Sequence, residues 1–414
     1  MTEVTDRTNF FEGHDPRELV AKYGSPLYVY SEKTLRLRCR EMVSLSSCPN
    51  VIVNYAVKAN TNLTLLKIAR ECGCRADISS MGEAVAAMEA GFRPDEMLFM
   101  VNNVSADELS FAVEKGITVC VDSLTQLATL GRLNPGGKVA VRFNSGVGGG
   151  HHENVVTGGD GTKFGIMPDK IAMVKLLAKQ NNLKIAGITH HIGSQNWGDL
   201  YLAGVDAILK IAREFSDLEF IDFGGGFAIP YNKQNGEKPL DLRALSSALD
   251  SKLFDFNKEY GKSVNFIIEP GRYIAAECGV LLGTVHSVKS NNTKNFAGTD
   301  LGFSVFKRPT VYDAHHDIEI YRGQSAASTK TKNVNIVGNQ CESGDYIAKE
   351  RELPELFDGD IIGVLDAGAY GYSMSCQYNF RPRPAEVLIQ LDKSVKLIRR
   401  RDNFTDMLAN MVGL

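Results

Sequence analysis

Residues able to do chemistry follow several short apolar runs that are patterned as buried strands. The stretch NVIVNYAVKANTN (50–62) ends its β-branched and aromatic run on Lys58, whose amine could act as a nucleophile. His191, three glycines at 224–226 and Glu269 each follow a further run of this kind. Each has an ordinary explanation by itself, because a charged residue after a strand is commonly solvated and a glycine run also fits a tight turn. Together they offer an amine, a flat ring, backbone N–H groups for an anion and a carboxylate.

This combination fits pyridoxal 5'-phosphate (PLP). A lysine amine forms a Schiff base with the aldehyde of PLP, and glycine N–H groups can hold its phosphate. A carboxylate facing the pyridine nitrogen keeps that nitrogen protonated, so that the ring acts as an electron sink. We expect Lys58 to be buried at a strand end, where desolvation lowers the pKa of its amine and keeps a nucleophilic fraction available.

The elements that must position these residues form repeated strand and helix units. Short apolar runs alternate with amphipathic stretches from residue 50 to about 270. The pattern predicts an α/β fold with a (β/α)8 TIM-type barrel, whose active site lies at the C-terminal ends of the strands. A doubly wound open sheet is the alternative, but it usually has fewer strands and a glycine fingerprint after the first one. The eight predicted strands are 51–57, 74–78, 96–101, 117–122, 138–143, 184–191, 218–223 and 264–269.

The sequence changes character after Arg272, where turn-rich segments with short strands predict a second, all-β domain of Greek-key-like type. We predict a PLP-binding barrel over 30–275 and a β domain formed by 1–29 and 276–414. The early run PLYVYS (26–31) is expected to pair with strands of the β domain.

Composition and charge exclude several classes of protein. The net charge is −3, whereas nucleic-acid binders usually carry clustered positive charge, so we expect no nucleic-acid partner. No run is long and apolar enough for a membrane span or a signal peptide, so we expect a cytoplasmic protein without a membrane partner. Eight cysteines in 414 residues are too sparse for a disulfide scaffold. The adjacent pairs His151–His152, His190–His191 and His315–His316 point to opposite faces of an extended strand, so we predict no metal site.

At the level of ordered motifs, the chain resembles the diaminopimelate decarboxylases, PLP enzymes of the alanine-racemase-like fold group. The resemblance covers nearly the whole chain. It rests on YAVKAN (55–60), GGDGTKFGI (158–166), HHIGSQ (190–195), DFGGGF (222–227), EPGRY (269–273), RPTVYDAHH (308–316), CESGDYIAKERELPEL (341–356) and DAGAYGYSMSCQYNFRPRPAEVL (366–388).

The resemblance implies roles for the residues in these motifs. Lys58 would hold PLP covalently, His191 would stack on the pyridine ring, and Glu269 would face the pyridine nitrogen. Further cofactor contacts are implied for Ser194, Gly225, Gly226, Gly271, Arg272 and Tyr370.

A second catalytic residue is implied in the β domain. Cys341 would reach the active site of the other subunit of a homodimer and supply the proton that replaces CO₂. A structural thiol is the alternative, although the neighbouring acidic residues suit a positioned acid better.

The implied reaction is decarboxylation of meso-2,6-diaminopimelate to L-lysine and CO₂, the last step of lysine biosynthesis. Its substrate carries a distal amino-acid group, for which arginine and tyrosine donors and a carboxylate are suited. Two alternatives remain: a related decarboxylase acting on another basic amino acid or a carboxylated polyamine, and a non-enzymatic PLP-carrier barrel. The implied substrate contacts are Arg272, Arg308, Tyr312, Glu342 and Tyr370.

Overall fold

A computed structural model describes residues 3–150, 152–153, 156–159, 161–322 and 330–413. His151 of the first histidine pair and Asp160 of the motif GGDGTKFGI lie outside these residues. The chain folds into two compact units. The barrel unit comprises Arg36–Ile229 and Pro239–Ile274, and the β-rich unit comprises the described residues of Met1–Leu35, Pro230–Lys238 and Ala275–Leu414.

Strands are distributed over the whole chain. In chain order, the strands β1 to β19 are Leu27–Ser31, Val51–Ala56, Arg75–Ile78, Met97–Met100, Thr118–Val121, Lys138–Arg142, Gly149–Gly150, Lys184–Thr189, Gly193–Ser194, Phe220–Asp222, Asn265–Ile268, Gly279–Ser290, Asn295–Thr299, Ile318–Tyr321, Thr331–Val337, Tyr346–Pro354, Ile361–Val364, Ala385–Ile389 and Val395–Arg399.

Helices separate most of the strands in the first two thirds of the chain. In chain order, the helices α1 to α13 are Val4–Thr8, Pro16–Tyr23, Glu32–Val43, Leu63–Glu71, Met81–Glu89, Ala106–Lys115, Leu124–Leu133, Ile171–Gln180, Asp199–Ala212, Leu242–Tyr260, Arg272–Ala275, Arg308–Tyr312 and Phe404–Leu408.

The barrel unit contains the predicted closed (β/α)8 barrel. Eight of its strands pair in parallel in the order β2-β3-β4-β5-β6-β8-β10-β11, and β11 pairs with β2 to close the ring. These strands are buried along most of their length, as expected for parallel strands covered on both sides. Every predicted strand is present with bounds that differ by only a few residues, so the barrel prediction is confirmed.

Capping residues set where the barrel helices begin. Asn62 accepts a hydrogen bond from the backbone N–H of Thr64 and caps α4. Ser80 caps α5 by accepting a hydrogen bond from the backbone N–H of Glu83. The Glu83 carboxylate in turn accepts from the backbone N–H of Ser79. Both caps lie just after a barrel strand, and so they fix the direction in which the chain leaves the catalytic end of the barrel.

The β-rich unit is built around one large sheet. Its main strand order is β16-β15-β13-β12-β1-β18-β19, and β17 pairs with β12 and β14. Strand β1 lies between β12, with which it is antiparallel, and β18, with which it is parallel. The predicted pairing of PLYVYS with the β domain is therefore confirmed. Residues 30–35 and 230–238, which the sequence analysis placed in the barrel, belong to this unit.

The remaining expectations concern thiols and membrane spans. All eight cysteines carry free thiols. Of the helices in the described ranges, none is long and apolar enough to cross a membrane.

Candidate active site

Lys58 follows the first barrel strand in a short 3₁₀ turn, Val57–Ala59. The strand itself ends at Ala56, so the expectation that Lys58 is the last residue of the strand is wrong by this one turn. Its Nζ lies 2.8 Å from Oδ2 of Asp77, which belongs to β3 and has no exposed surface. The Lys58 side chain is 39% exposed and therefore not buried as predicted, and its amine is paired with a buried carboxylate.

Two further buried carboxyl groups lie at the same end of the barrel. Asp222 ends β10 and Glu269 follows β11, and the two side chains are 0% and 3% exposed. Burial raises the pKa of Asp222 to about 7, although the N–H of Gly224 donates to its Oδ1 at 2.8 Å. Burial and the negative charge of Asp222 raise the pKa of Glu269 well above its ordinary value. The pair therefore carries at least one proton near neutral pH.

Each of these carboxyl groups has an oxygen for which the described residues provide no hydrogen-bond partner. These buried atoms are Oδ1 of Asp77 and, when both carboxyl groups are ionised, Oδ2 of Asp222 and Oε1 of Glu269. A proton on the pair allows Asp222 and Glu269 to bond to each other. Buried polar atoms are normally satisfied, so such a concentration at one barrel end fits a site that a polar ligand completes.

The glycine run after β10 forms a cradle that admits no side chain. A Cβ atom on Gly225 would lie 2.2 Å from the carbonyl oxygen of Glu269, and one on Gly226 would lie 2.4 Å from that of Gly193. Gly226 also has a φ of 105°, a conformation that side chains disfavour. The run is therefore more than a tight turn, because its backbone is packed directly against the chain after β11 and around β9.

Ser194 and Arg272 are brought together beside this cradle. The guanidinium of Arg272, at the start of α11, donates to Oγ of Ser194 from both Nε (3.1 Å) and Nη2 (2.7 Å). Arg272 is buried, and Gly271, also buried, precedes it. Glu269, Gly271 and Arg272 thus all lie within the first four residues after β11.

The ring of His191 is neutral. Burial and the charges of Arg142 and Lys58 lower the pKa of its imidazole well below the ordinary value. The N–H of Gly193 donates to Nδ1 at 3.1 Å, which leaves the ring proton on Nε2. The Thr157 hydroxyl contacts the same Nδ1 at 2.8 Å and so links the segment after β7 to the ring.

Sequence reasoning missed three residues of this site, Asp77, Asp222 and Thr157, whereas Arg142 was expected at the catalytic end of its strand. Arg142 is buried at the end of β6, and its Nη2 has no hydrogen-bond partner in the described ranges. A signal was present for the two aspartates, since each is a charged residue within or at the end of an otherwise apolar run, where charges are costly unless they are used. Thr157 carried no such signal.

The remaining predicted site residues belong to the β-rich unit. Cys341 and Glu342 lie together and exposed after β15: Nδ2 of Asn379 lies 3.1 Å from Sγ of Cys341, and the hydroxyl of Tyr378 donates to Oε1 of Glu342 at 2.6 Å. The thiol of Cys341 is exposed and so is not part of the core of this unit. The bond to Glu342 raises the pKa of Tyr378 above its ordinary value, so Tyr378 stays protonated as a donor.

The loop that carries Tyr370 is anchored by a largely buried ion-pair cluster. Lys233 lies 2.6 Å from Asp366 and 2.8 Å from Glu277. Burial alone would lower the pKa of Lys233, but the two carboxylates hold it above its ordinary value, while burial raises the pKa of Asp366 to about 6. Asp366 and Tyr370 both have a left-handed φ of 56°, so the cluster fixes one end of a sharply turned loop.

Arg308 and Tyr312 are the first and last residues of α12. Arg308 is only 1% exposed, and its guanidinium donates to His316 and lies over the ring of Tyr231. Tyr312 is half-buried.

Comparisons with known proteins agree with this geometry. The family pattern described as "Pyridoxal-dependent decarboxylase, pyridoxal binding domain" matches residues 33–276. The diaminopimelate decarboxylase of Methanothermobacter thermautotrophicus is 39% identical, over 98% of this chain and 96% of that protein, and the one of Escherichia coli K12 is 33% identical over 94% of each. The crystal structure of diaminopimelate decarboxylase from Helicobacter pylori complexed with L-lysine superposes with a TM-score of 0.86 at 30% identity and covers 95% of this chain and 98% of that one. The chain therefore belongs to the diaminopimelate decarboxylase family of pyridoxal-dependent decarboxylases.

Proposed function

We propose that this chain is a carboxy-lyase that converts meso-2,6-diaminopimelate to L-lysine and CO₂ with PLP, as the last step of lysine biosynthesis. The observation that carries the proposal is the buried carboxyl group of Glu269 at the same barrel end as Lys58. An amine and a protonatable carboxyl group held at one barrel end are what a PLP-dependent decarboxylation requires.

The residues fit PLP on structural grounds. The buried Oε1 of Glu269 would provide a partner for a ring nitrogen, and the backbone N–H groups of Gly225 and Gly226 would be offered to a phosphate. Lys58 would hold the aldehyde carbon, and the neutral His191 ring would pack on the face of the pyridine. Ser194, Gly225, Gly226, Gly271, Arg272 and Tyr370 would complete the cofactor contacts.

Bound PLP supplies an electron sink that stabilises the electron pair left on the substrate carbon when CO₂ departs. Glu269 would keep the ring nitrogen protonated, which is the electrostatic contribution of the protein to that step. The thiol of Cys341, held by Asn379 and next to the Tyr378–Glu342 pair, would then deliver a proton to the carbon that has lost CO₂.

Substrate selection would depend on the distal amino-acid group. Arg272, Arg308, Tyr312 and Tyr370 would provide donors for carboxylates, and Glu342 would accept from the distal ammonium. A basic amino acid without the distal carboxylate would leave buried donors unpaired, which discriminates strongly against it.

We also propose a cytoplasmic homodimer in which Cys341 and Glu342 of one subunit complete the active site of the other. Their exposure in the single chain supports this assignment, because a proton donor needs a surrounding that excludes water, and a partner subunit would supply one. The β domain is proposed to make the dimer contacts.

The experiment is a decarboxylation assay with a matched substrate panel. Purified protein with PLP is given meso-diaminopimelate, L-ornithine, L-arginine or L-lysine, and CO₂ release is measured. We expect release from diaminopimelate alone, and none from the Lys58→Ala variant. Release from ornithine but not from diaminopimelate would overturn the substrate, and release from no substrate would favour a PLP-carrier protein.

A further inference from the structure

The side chain of His316 makes two hydrogen bonds of opposite sense. Its Nδ1 lies 2.7 Å from the carbonyl oxygen of Leu365, and its Nε2 lies 2.7 Å from Nη1 of Arg308. A carbonyl oxygen can only accept and a guanidinium can only donate. The ring proton is therefore on Nδ1, and Nε2 is a lone-pair acceptor, so this arrangement requires a neutral histidine.

The surroundings hold the ring and the guanidinium in one orientation. His316 and Arg308 are each 1% exposed. The rings of Tyr231 and Phe306 meet the imidazole edge-on, with centroids 4.8 and 4.7 Å away, and the guanidinium carbon of Arg308 lies 4.5 Å from the centre of the Tyr231 ring. Rotation of either group would break a hydrogen bond inside a packed aromatic cluster.

The choice of a neutral acceptor has an electrostatic consequence. A carboxylate in place of His316 would also orient Arg308, but it would cancel the positive charge that Arg308 offers to a ligand. The imidazole fixes the direction of the guanidinium and contributes no negative charge. The contact is therefore suited to an arginine whose task is to receive an anionic group.

We infer that His316 is a positioning residue that orients Arg308 for the distal carboxylate of the substrate. The inference rests on the proposed function, which places Arg308 at that carboxylate. His316 itself touches neither the substrate nor the cofactor in this role. Its effect should consequently appear in ligand affinity and not in the chemical step.

Two amide substitutions distinguish the roles of the two ring nitrogens of His316. The amide of His316→Asn can replace Nδ1 and keep the bond to Leu365, whereas the longer amide of His316→Gln can replace Nε2 and accept from Arg308. We expect His316→Asn to raise both the KM for meso-diaminopimelate and the inhibition constant of L-lysine roughly ten-fold or more, the range for loss of a hydrogen bond to a charged group. His316→Gln should restore most of this loss, and kcat should stay within about three-fold in both variants.

L-Lysine is a useful second ligand. Its α-carboxylate corresponds to the distal carboxylate of the substrate, and it lacks the carboxylate that leaves as CO₂. The neighbouring variant His315→Asn is the matched control, since His315 contacts Asp317 and Arg351 instead of Arg308 and should leave both constants unchanged. In the unsubstituted protein, histidine ¹⁵N spectra should show His316 protonated on Nδ1, with the signal assigned from His316→Gln. This measurement does not depend on whether His316→Asn folds.

Equal losses in His316→Asn and His316→Gln, a loss in kcat at unchanged KM, or a proton on Nε2 would each overturn the inference. The variant Arg308→Ala separates it from the proposed function. If Arg308→Ala raises both constants and His316→Asn does not, the inference alone fails. If Arg308→Ala changes neither constant, the proposed substrate contact of Arg308 fails and the inference fails with it.

Discussion

Lys58, in the turn after β2, and Asp77, in β3, form an ion pair, with Nζ 2.8 Å from a carboxylate that has no exposed surface. The lysine thus has a structural partner in addition to the cofactor that it is proposed to hold. Replacing it should therefore have two separable effects.

The first prediction concerns this pair. Lys58→Ala should abolish the cofactor adduct that borohydride can fix, and it should lower stability by roughly 2 kcal/mol, because Asp77 would keep its buried charge without a cation. This loss of stability is smaller than the usual cost of leaving a buried charge unpaired, because the Lys58 side chain is 39% exposed and solvent screens the pair. Adding Asp77→Asn should restore most of the stability, measured by urea unfolding, but not the adduct. An adduct that survives in Lys58→Ala would show that another lysine holds the cofactor.

Glu269→Gln tests the proposed partner of the ring nitrogen. Glutamine keeps the size of the side chain, but a neutral amide does not favour a protonated pyridine. We expect kcat to fall on the order of 100-fold or more, while the adduct with Lys58 is retained. Steady-state kinetics with borohydride trapping of the same preparation measures both, and an unchanged kcat would contradict the role of Glu269.

The third prediction uses the raised pKa of Asp222. Since this pKa is about 7 in the folded state and 3.8 ordinarily, the folded protein binds the proton more tightly than the unfolded chain. The carboxyl group therefore costs stability as pH rises from about 4 to 7, on the order of a few kcal/mol. In Asp222→Asn this cost is absent.

The stability difference between Asp222→Asn and the unsubstituted protein should thus grow over that pH range. Thermal unfolding of both proteins without cofactor, in a series of buffers, measures the difference. The buried histidines titrate in both proteins, so their contributions to the stability difference cancel. A difference independent of pH would show that Asp222 is ionised throughout.

Gly225→Ala tests the cradle. Its Cβ would lie 2.2 Å from the backbone oxygen of Glu269, which must move to accommodate it. We expect the affinity for PLP, measured by fluorescence titration, to fall at least ten-fold, as overpacking costs about 1–3 kcal/mol. The control is Gly82→Ala in α5, where the nearest atom to the added Cβ would be 3.7 Å away. Equal affinities in the two variants would argue against the cradle as the phosphate site.

The proposed shared active site predicts complementation between inactive variants. Lys58→Ala and Cys341→Ala should each have little activity. When the two are unfolded together and refolded, half of the dimers are mixed, and each mixed dimer has one site with both residues intact, so about a quarter of the normal activity should return. Without any recovery, Lys58 and Cys341 would have to act from the same chain.

The barrel could be predicted because its strands are apolar runs whose period and spacing are local properties of the sequence. The positions of His191, Gly225 and Glu269 followed from the rule that barrel chemistry collects at strand ends. Lys58 was misplaced by one short turn, since no residue type in YAVKAN distinguishes the end of a strand from a 3₁₀ turn. Its partner Asp77 was missed because residues 74–78 have the pattern of a buried strand, and the charged residue inside this run was not interpreted.

Contacts between distant segments could not be read from the sequence. His316 is bonded to Leu365, 49 residues further along the chain, and Lys233 to Asp366, 133 residues away. Neither bond follows from local periodicity, because each depends on how strands are ordered in the sheet. The same reason explains why residues 230–238 were assigned to the wrong side of the domain boundary.

The central place of β1 in its sheet determines the order in which the protein can be completed during synthesis. Residues 27–31 leave the ribosome early, but one of the two neighbours of this strand is Ala385–Ile389, which is made near the end of translation. The barrel, formed by residues 36–274 apart from one short excursion, can close while β1 still lacks that neighbour. A nascent chain arrested before residue 385 would thus carry a finished barrel and an apolar strand with unpaired backbone groups, a form that chaperones recognise and that aggregates readily.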